Sequence, residues 1–331
     1  MKANIFAKVE KNYKNNFDKL EDKCFHFVSR LFLWAEDEFS SRKLAELKVK
    51  YIGKNKNEYA ERIKNILTEN VKEQGFLFKQ EREKYFAKYP LLKKYNKILF
   101  KNLFCETLYG VDLRGVIGEQ IKKEQFLALR VELWKDRAAI AALATHAINY
   151  FYTLDYFLQE EKTFLDPSFF LAIVENENLY KGEDAASLQI YLLTHCIIGE
   201  SAFYARPIKR QKKVYKQILL KAEQLVAENY EQLSLDSKVE FLVCAELCEQ
   251  NSFLSEKILG ELENSFDCEN NYFIEKEKIK NKVTFRTSEH RNVLALMAFH
   301  FKKTKSEKKR LSKRIISHIF KYLTRILFLR V

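Results

Sequence analysis

The chain has 331 residues, of which 47% are hydrophobic and 14% aromatic, and its formal net charge is +13 at pH 7. Only eight Gly and three Pro interrupt it, which is fewer turn-forming residues than sheets and open loops need. Six scattered Cys form no CxxC pair, and the first residues are charged rather than apolar. We therefore expect a cytoplasmic, all-helical protein with free thiols, and neither a disulfide framework nor a secretory signal.

The positive charge is concentrated at the end of the chain. Residues 302–331 contain eleven Lys or Arg and one acid, Glu307, which accounts for +10 of the net charge. The nearly neutral remainder offers no continuing basic track, so binding to nucleic acid is not expected. An apolar stripe that includes Leu311, Ile315 and Ile319 predicts a basic amphipathic helix. This helix either closes the fold or contacts a membrane surface or a protein partner.

The first third of the chain predicts several helices of ordinary character. Met1–Gly53 contains two or more of them, with an apolar stripe at helical spacing, and a further helix ends near Gly75. Glu81–Pro90 is interpreted as a charged connector, and Leu91–Leu108 as an apolar helix. The only cluster of glycines, which begins at Gly110, marks a break between helices, because it lacks the features of a phosphate loop.

Four later stretches are apolar on nearly every face and recur about every 50 residues. They are Ala138–Leu158, Ala185–Gly199, Val239–Leu247 and Asn292–Phe299. Amphipathic stretches such as Lys212–Leu233 separate them. A helix that is apolar all round must be enclosed by protein, whereas one with a single stripe covers a core from outside. The alternation predicts antiparallel helical hairpins in an α/α toroid, a closed or nearly closed helical barrel formed by residues 1–301.

Residues 267–286 interrupt this helical pattern. They predict a β-hairpin or a mobile loop over one end of the fold. Either a lid over a central cavity or a long surface insertion would fit such a segment.

Histidines within the apolar helices are the first candidates for chemistry. An imidazole in such surroundings needs a hydrogen-bond partner or a metal. His195 follows His146 by 49 residues, and His290 follows about two periods later. The catalytic candidates are His195, His290, Glu200 and Glu289, since carboxylates at helix ends can face a cavity that raises their pKa. The candidates for binding a ligand or cofactor are His146, Thr194 and Arg291.

Two observations keep other interpretations open. Alignment of the helices by their predicted caps (Asp136, Asp184, Ser234 and Ser288) pairs His146 and His195 with Glu246 and His300, so each histidine can also be an ordinary core or capping residue. Cys244 and Cys248, together with Cys196 and His195, could bind Zn²⁺, but their spacing is not diagnostic and buried Cys is often a small apolar residue. The identity of any cofactor or metal therefore stays unknown.

The segment Tyr191-Leu192-Leu193-Thr194-His195, followed by an apolar turn and Phe203-Tyr204, resembles an uncharacterised bacterial helical family that carries a similar Thr-His element. That family is related in fold to the lanthionine-synthetase cyclases. The resemblance implies an α/α toroid whose central pocket takes a small molecule or a peptide, and a place in a natural-product or modified-peptide pathway. It does not carry over the cyclases' zinc site, because their Cys and Cys-His motifs are missing here.

These observations lead to one main functional hypothesis and two others. The main hypothesis is a cytoplasmic pocket protein, an enzyme or accessory factor, with the inner-helix histidines lining a central cavity. The alternative is a non-enzymatic helical scaffold whose basic segment 302–331 engages a membrane surface or a protein partner. A third possibility is a helical glycan-active enzyme that uses Glu200 or Glu289.

Overall fold

The structure, a computed structural model, describes residues 2–35, 37–69, 79–159, 165–180, 182, 184–275 and 284–300, and these are almost entirely helical. The α-helices are, in chain order, α1 (Lys2–Asn15), α2 (Cys24–Ala35), α3 (Glu38–Tyr51), α4 (Lys56–Thr68), α5 (Lys79–Lys88), α6 (Leu92–Tyr109), α7 (Arg114–Gly118), α8 (Lys123–Lys135), α9 (Arg137–Leu143), α10 (Thr145–Leu158), α11 (Ser168–Val174), α12 (Ala185–Glu200), α13 (Lys212–Glu228), α14 (Leu235–Leu247), α15 (Ser255–Asn264) and α16 (289–300). Short 3₁₀ helices cover Phe17–Lys23 and Glu177–Leu179. The predicted all-helical class is confirmed.

The apolar stretches lie inside the molecule, next to one another. Helix α10 packs against α6 on one side and α12 on the other, and α12 also packs against α14. Along α14, every residue from Leu235 to Ala245 except Asp236 is buried. The amphipathic α13 packs on both α12 and α14 and buries one stripe, which includes Ile218, Leu219 and Ala222. The division into enclosed and covering helices thus follows the pattern of the sequence.

The stretch Ala138–Leu158 was expected to be one helix, and this prediction is wrong. The chain breaks at Ala144, whose φ of 38° is not helical, so that α9 ends at Leu143 and α10 begins at Thr145. The break interrupts the backbone hydrogen-bond ladder, and the carbonyl of Ala142 accepts a hydrogen bond from Arg82 Nε at 3.2 Å instead. Sequence periodicity cannot register such a break, since both halves are equally apolar.

The segment Glu81–Pro90 is not a connector, because α5 extends through Lys88. Its Lys, Glu, Arg and Ala residues have good helix propensity, which the interpretation as a charged linker underrated. Lys88 Nζ and Tyr89 Oη both bond to Asp136 Oδ2, at 2.7 and 2.9 Å. The other carboxylate oxygen of Asp136 caps α9 by accepting from the backbone N–H of Ala139 at 3.0 Å. One carboxylate thus joins the end of α5 to the start of α9.

The predicted caps Asp136 and Ser234 make capping hydrogen bonds, whereas Ser288 Oγ donates to the Thr284 carbonyl at 2.8 Å instead. The helix end predicted near Gly75 lies outside the described residues. Ser234 caps α14 and accepts from the backbone N–H of Ser237, and Gly110 ends α6 with a left-handed φ of 64°. Asp184 stands at the N-cap position of α12, but its side chain makes no capping hydrogen bond. None of the described helices is both long and apolar enough to cross a membrane.

Within residues 267–286, the predicted hairpin is present as two short antiparallel strands, β1 (Phe266–Asp267) and β2 (Tyr272–Phe273). Asn292 of α16 fixes β2: its Oδ1 accepts from the N–H of Phe273 at 2.8 Å, and its Nδ2 donates to the Phe273 carbonyl at 3.1 Å. Asn12 of α1 donates to the carbonyl of Asn270 at 2.8 Å. Residues 276–283 and the predicted basic helix 302–331 lie outside the described residues.

Candidate functional site

A cavity of about 340 Å³ lies between α2, the end of α3, α6, α10, α12 and the turn that follows α12. This volume falls at the lower end of the range of about 300–1,000 Å³ that is usual for small-molecule sites. Half of the residues that line it are Phe or Tyr: Phe25, Tyr51, Phe100, Phe104, Phe203 and Tyr204. The polar part of the wall comes from His26, Ser29, Arg30, Asn149 and His195. The cavity is therefore apolar over most of its surface and carries a few polar groups, as ligand-binding pockets generally do.

A strained turn brings two of the aromatic rings to the wall. Immediately after α12, Ala202, Phe203 and Tyr204 have φ values of 52°, 54° and 72°. Left-handed conformations are unfavourable for residues with side chains, and such strain persists only where the surroundings enforce it. Here the N–H of Tyr204 donates to Ser201 Oγ at 2.8 Å, and its carbonyl accepts from Trp34 Nε1 at 3.1 Å. The turn is thus tied both to α12 and to α2.

His195 lies on the cavity wall as a neutral imidazole. Its Nδ1 is 2.7 Å from Asn149 Oδ1, and since the amide oxygen accepts, the ring proton lies on Nδ1. Its Nε2 is 3.9 Å from Glu240 Oε1. Burial, together with the nearby Arg30, lowers the pKa of His195 below its ordinary value, although Glu240 opposes this effect. Glu240 is held in turn by Thr194 Oγ1, which donates to it at 2.9 Å.

His26 forms a carboxylate–imidazole pair with Glu289. Its Nδ1 lies 2.7 and 2.9 Å from the two carboxylate oxygens. Burial and the neighbouring Arg30 lower the pKa of His26 to about 4, despite the opposing effect of Glu289. Burial alone would raise the pKa of Glu289, but His26, Arg30 and His290 hold it below its ordinary value. Glu289 is thus a buried carboxylate that accepts from Nδ1–H of a neutral ring.

Arg30 is the permanently charged residue of the wall. Its guanidinium lies over the ring of Tyr204, 5.0 Å from the ring centroid. Among the residues that the structure describes, no hydrogen-bond partner reaches its Nη1, which is buried. The described residues that line the cavity include neither Asp nor Glu. The wall therefore presents a cationic donor with no anion on the same surface.

His290 and Arg291 lie behind the cavity wall, in contact with acids. The ring of His290 stacks on that of His26 at 5.8 Å, and its Nδ1 is 3.5 Å from Asp236 Oδ1. Arg291 Nη2 donates to Asp236 at 2.7 Å and to Glu275 at 3.2 Å. Burial would raise the pKa of Asp236, but His290 and Arg291 lower it to about 2. Arg291, predicted to bind a ligand, is thus held in ion pairs, and only His290 of the two touches a residue of the wall.

Two of the predicted residues lie away from this cavity. Glu200 lines a separate cavity of about 210 Å³, where Arg210 donates to both of its oxygens at 2.7 and 2.8 Å. The His146 ring stands edge-on to Phe86, with ring centroids 5.0 Å apart, and burial lowers its pKa to about 3. Thr194 is fully buried behind the wall as the donor to Glu240. The structure therefore brings together His195, His290 and Glu289, but not Glu200 with them.

Of the cysteines considered as zinc ligands, Cys196 and Cys244 are buried and Cys248 is half-buried. Cys244 Sγ lies 3.6 Å from the carbonyl of Thr194, which it can reach as a weak donor. Burial raises the pKa of Cys196 and Cys244, and raises that of Cys248 to about 12. In the described part of the chain, no three His, Cys, Asp or Glu side chains are grouped so that they could hold a metal ion.

Sequence reasoning missed His26 and Arg30, the residues that α2 contributes to the wall. The apolar stripe of this helix, which includes Phe27 and Leu31, is the stronger pattern in the sequence and predicted only a buried face. A signal was nevertheless present, since His26, Ser29 and Arg30 stand at i, i+3 and i+4 in an otherwise apolar segment, CFHFVSRLFLWA. This spacing places three polar side chains on one face, which has to meet a partner or a cavity.

Comparison with known proteins gives a family but no characterised relative. The model of a domain of unknown function, DUF3541, matches residues 47–328. No curated protein and no solved structure gives a significant match. The matched range includes Asn149, His195 and Glu289, whereas His26 and Arg30 precede it.

Proposed function

Because this chain belongs to the DUF3541 family, defined by a domain of unknown function, we propose its function from its own geometry: it binds a small organic molecule in the aromatic cavity and presents it to two neutral imidazoles. One observation carries this proposal. His26 and His195, from different helices, stand on the wall of the same cavity, and each has its Nδ1 bound to an oxygen acceptor.

This arrangement suits proton transfer. With Nδ1–H donating to Glu289 or Asn149, the lone pair of each ring is on Nε2, the nitrogen that can accept a proton from a ligand. The carboxylate of Glu289 orients His26 and would stabilise the imidazolium that forms, as the acid of a catalytic triad does for its histidine. For His195, Glu240 lies 3.9 Å from Nε2 and not on Nδ1, so it would stabilise an imidazolium by its charge without orienting the ring as Glu289 orients His26. The proposed role is that of an enzyme, or of an accessory factor that holds such a molecule.

The α/α toroid belongs to this proposal. Its support is a chain of neighbours: α6, α10, α12 and α14 pack in that order. Asp236 of α14 pairs with Arg291 of α16, and Glu289 of α16 with His26 of α2. Phe25 of α2 then meets Phe104 of α6 edge-on, with centroids 6.0 Å apart. We propose that these six helices form the inner ring of an α/α toroid, the architecture that the resemblance to the lanthionine-synthetase cyclases implies, and that the molecule bound belongs to a natural-product or modified-peptide pathway.

Nitrogen-15 NMR of the histidine side chains tests the imidazole arrangement. At pH 7, we expect His26 and His195 to be neutral with the proton on Nδ1, and His26 to remain neutral well below pH 6.5. The signals are assigned by His26→Gln and His195→Gln variants. Charged rings at pH 7, or protons on Nε2 in both rings, would contradict the proposed role as proton acceptors.

Binding of the uncharged fluorescent probe N-phenyl-1-naphthylamine tests the cavity itself. We expect one site per chain in the wild type. Ile198 also lines the cavity, so Ile198→Trp should fill part of it and weaken binding at least tenfold. The control, Leu220→Trp, adds the same side chain at a position that is 51% exposed, and should leave binding unchanged. Equal binding by all three proteins would rule out this cavity as the site.

The second candidate function is a helical scaffold whose segment 302–331 contacts a membrane surface or a protein partner. Its support is the local charge of +10 beside an apolar stripe in the sequence. Truncation of this segment, treated in the Discussion, separates the two possibilities for its role.

A further inference from the structure

Arg30 provides the feature of the cavity that the proposed function leaves unexplained. We infer that the molecule bound in this cavity is an organic anion, a carboxylate on an aromatic or similarly planar body, and that Arg30 binds its charged group. This inference rests on the proposed function, because it names the class of ligand for the same cavity.

The unpartnered Nη1 of Arg30 is the first argument. An arginine keeps its charge at any pH at which the protein is folded, so it cannot escape burial by losing a proton. A buried N–H without an acceptor is unfavourable, and the described residues supply none for this atom. Nη1 itself has almost no accessible surface, so it meets a ligand only if the guanidinium turns toward the cavity that Arg30 lines. An anion bound there would then supply that acceptor and a neutralising charge at once.

The charges around the cavity give the second argument. The described residues of the wall include one permanent cation and no carboxylate. The nearest acids lie behind the wall, where Glu289 accepts from His26 and Glu240 accepts from Thr194. Both donors are neutral, so these carboxylates keep their charge but offer no acceptor on the wall itself. On the wall itself, a cationic group of the ligand would meet Arg30 directly, whereas an anionic group meets complementary charge.

The aromatic part of the wall indicates the uncharged part of the ligand. The aromatic rings of the wall offer faces and edges to an apolar planar body, which packs on them favourably. Tyr204 already holds the Arg30 guanidinium over its ring, at 5.0 Å from the centroid. The planar fork of a guanidinium matches the geometry of a carboxylate better than that of a spherical anion.

Two probes that share one ring system isolate the contribution of the charge. 8-Anilinonaphthalene-1-sulfonate carries a sulfonate, and N-phenyl-1-naphthylamine has the same rings without it. We expect Arg30→Gln to weaken binding of the sulfonate probe about tenfold or more, the loss usual for one hydrogen bond to a charged group. Binding of the neutral probe should change less than about twofold. The control is Arg137→Gln, because Arg137 also lies over a ring, that of Phe169 at 5.5 Å, but outside the cavity.

A competition experiment on the wild type avoids any question of folding. We expect 1-naphthoate to displace the sulfonate probe at a concentration at least tenfold lower than 1-naphthamide, its uncharged analogue. Equal displacement by the two, or unchanged binding of the sulfonate probe to a folded Arg30→Gln protein, would overturn the anion inference. In that event the proposed function stands as long as Ile198→Trp still weakens the neutral probe. If Ile198→Trp leaves both probes unaffected, the proposed function itself fails.

Discussion

Burial determines the charge of the histidines at the scale of single residues. It lowers the pKa of His26 to about 4 and that of His146 to about 3, and it lowers that of His195 as well. All three rings are therefore neutral at pH 7. For the two rings on the cavity wall, this neutrality leaves a lone pair for a ligand. For His146, which lies half-buried against Phe86 away from the cavity, it reflects burial and the nearby charges of Arg82 and Lys93.

The buried neutral state of His146 makes a prediction about acid stability. The unfolded chain takes up a proton at this residue near pH 6.5, whereas the folded protein does so only near pH 3. Between these values the unfolded state binds more protons, so the free energy of unfolding falls as the pH falls. His146→Gln should reduce that dependence by at most about 1.4 kcal/mol per pH unit, measured by urea unfolding at pH 7.5, 6 and 5.

His26 and His195 contribute in the same direction, so the variant keeps part of the slope. The two proteins are first compared at pH 7.5, where His146 is neutral in both the folded and the unfolded state. At this pH the titration of His146 contributes nothing to the difference in stability between them. An unchanged slope in His146→Gln would show that this ring is able to take up a proton in the folded protein.

At the scale of helices, α10 and α12 approach each other so closely that one position has no space for a side chain. This position is Gly199, where a β-carbon would lie 2.7 Å from Tyr152 Cβ and would overlap the Tyr152 ring. Tyr152 cannot move aside easily, because its hydroxyl bonds to that of Tyr215 at 2.7 Å and all three residues are buried. The glycine therefore serves packing between two inner helices and not a turn.

We expect Gly199→Ala to destabilise the protein by about 1–3 kcal/mol, the range for overpacking a filled core, although Ala is the better helix former. Gly260→Ala is the matched control. Gly260 also lies within a helix, α15, but nothing stands within 4 Å of its would-be β-carbon. That change should stabilise the protein by about 0.5–1 kcal/mol. Denaturant unfolding of both variants measures the two effects, and a stabilised Gly199→Ala would contradict the close approach.

At the scale of the whole molecule, the question is whether the proposed inner helices close into a ring. The proposed inner ring, α2, α6, α10, α12, α14 and α16, predicts a compact small-angle scattering profile. An open solenoid would give an elongated, curved one. Far-UV circular dichroism should be dominated by helix, because the described strands are only two residues long each. An elongated profile would contradict the toroid and leave the helical class intact.

The second prediction for the whole molecule concerns the effect of segment 302–331 on stability. We expect its apolar stripe, which includes Leu311, Ile315, Ile319 and Leu323, to pack on the body and leave the basic face in water. Truncation after residue 301 should then lower the free energy of unfolding by several kcal/mol, because each buried aliphatic side chain contributes about 1.5–3 kcal/mol. An unchanged melting temperature, together with salt-sensitive loss of binding to anionic vesicles, would instead make the segment a membrane contact.

Sequence alone determined the properties that depend on neighbours along the chain. The scarcity of Gly and Pro and the spacing of apolar residues predict helices, because a helix is held together by contacts three and four residues apart. The same local character makes Ser234 recognisable as a cap and Gly110 as a helix end. It also explains one error, since the break at Ala144 depends on what surrounds the helix and leaves no mark in the apolar pattern.

Only the tertiary structure decided which of these residues share a site. His26 meets Glu289 across 263 positions of the chain, and His195 meets Asn149 across 46. Such pairs are created by the packing of α2 against α16 and of α10 against α12. The predicted repeat brought His195 into consideration and could not separate it from Glu200, which faces another cavity five residues later. The sequence did not single out Arg30, because it does not show whether a charged side chain is buried or which groups lie near it.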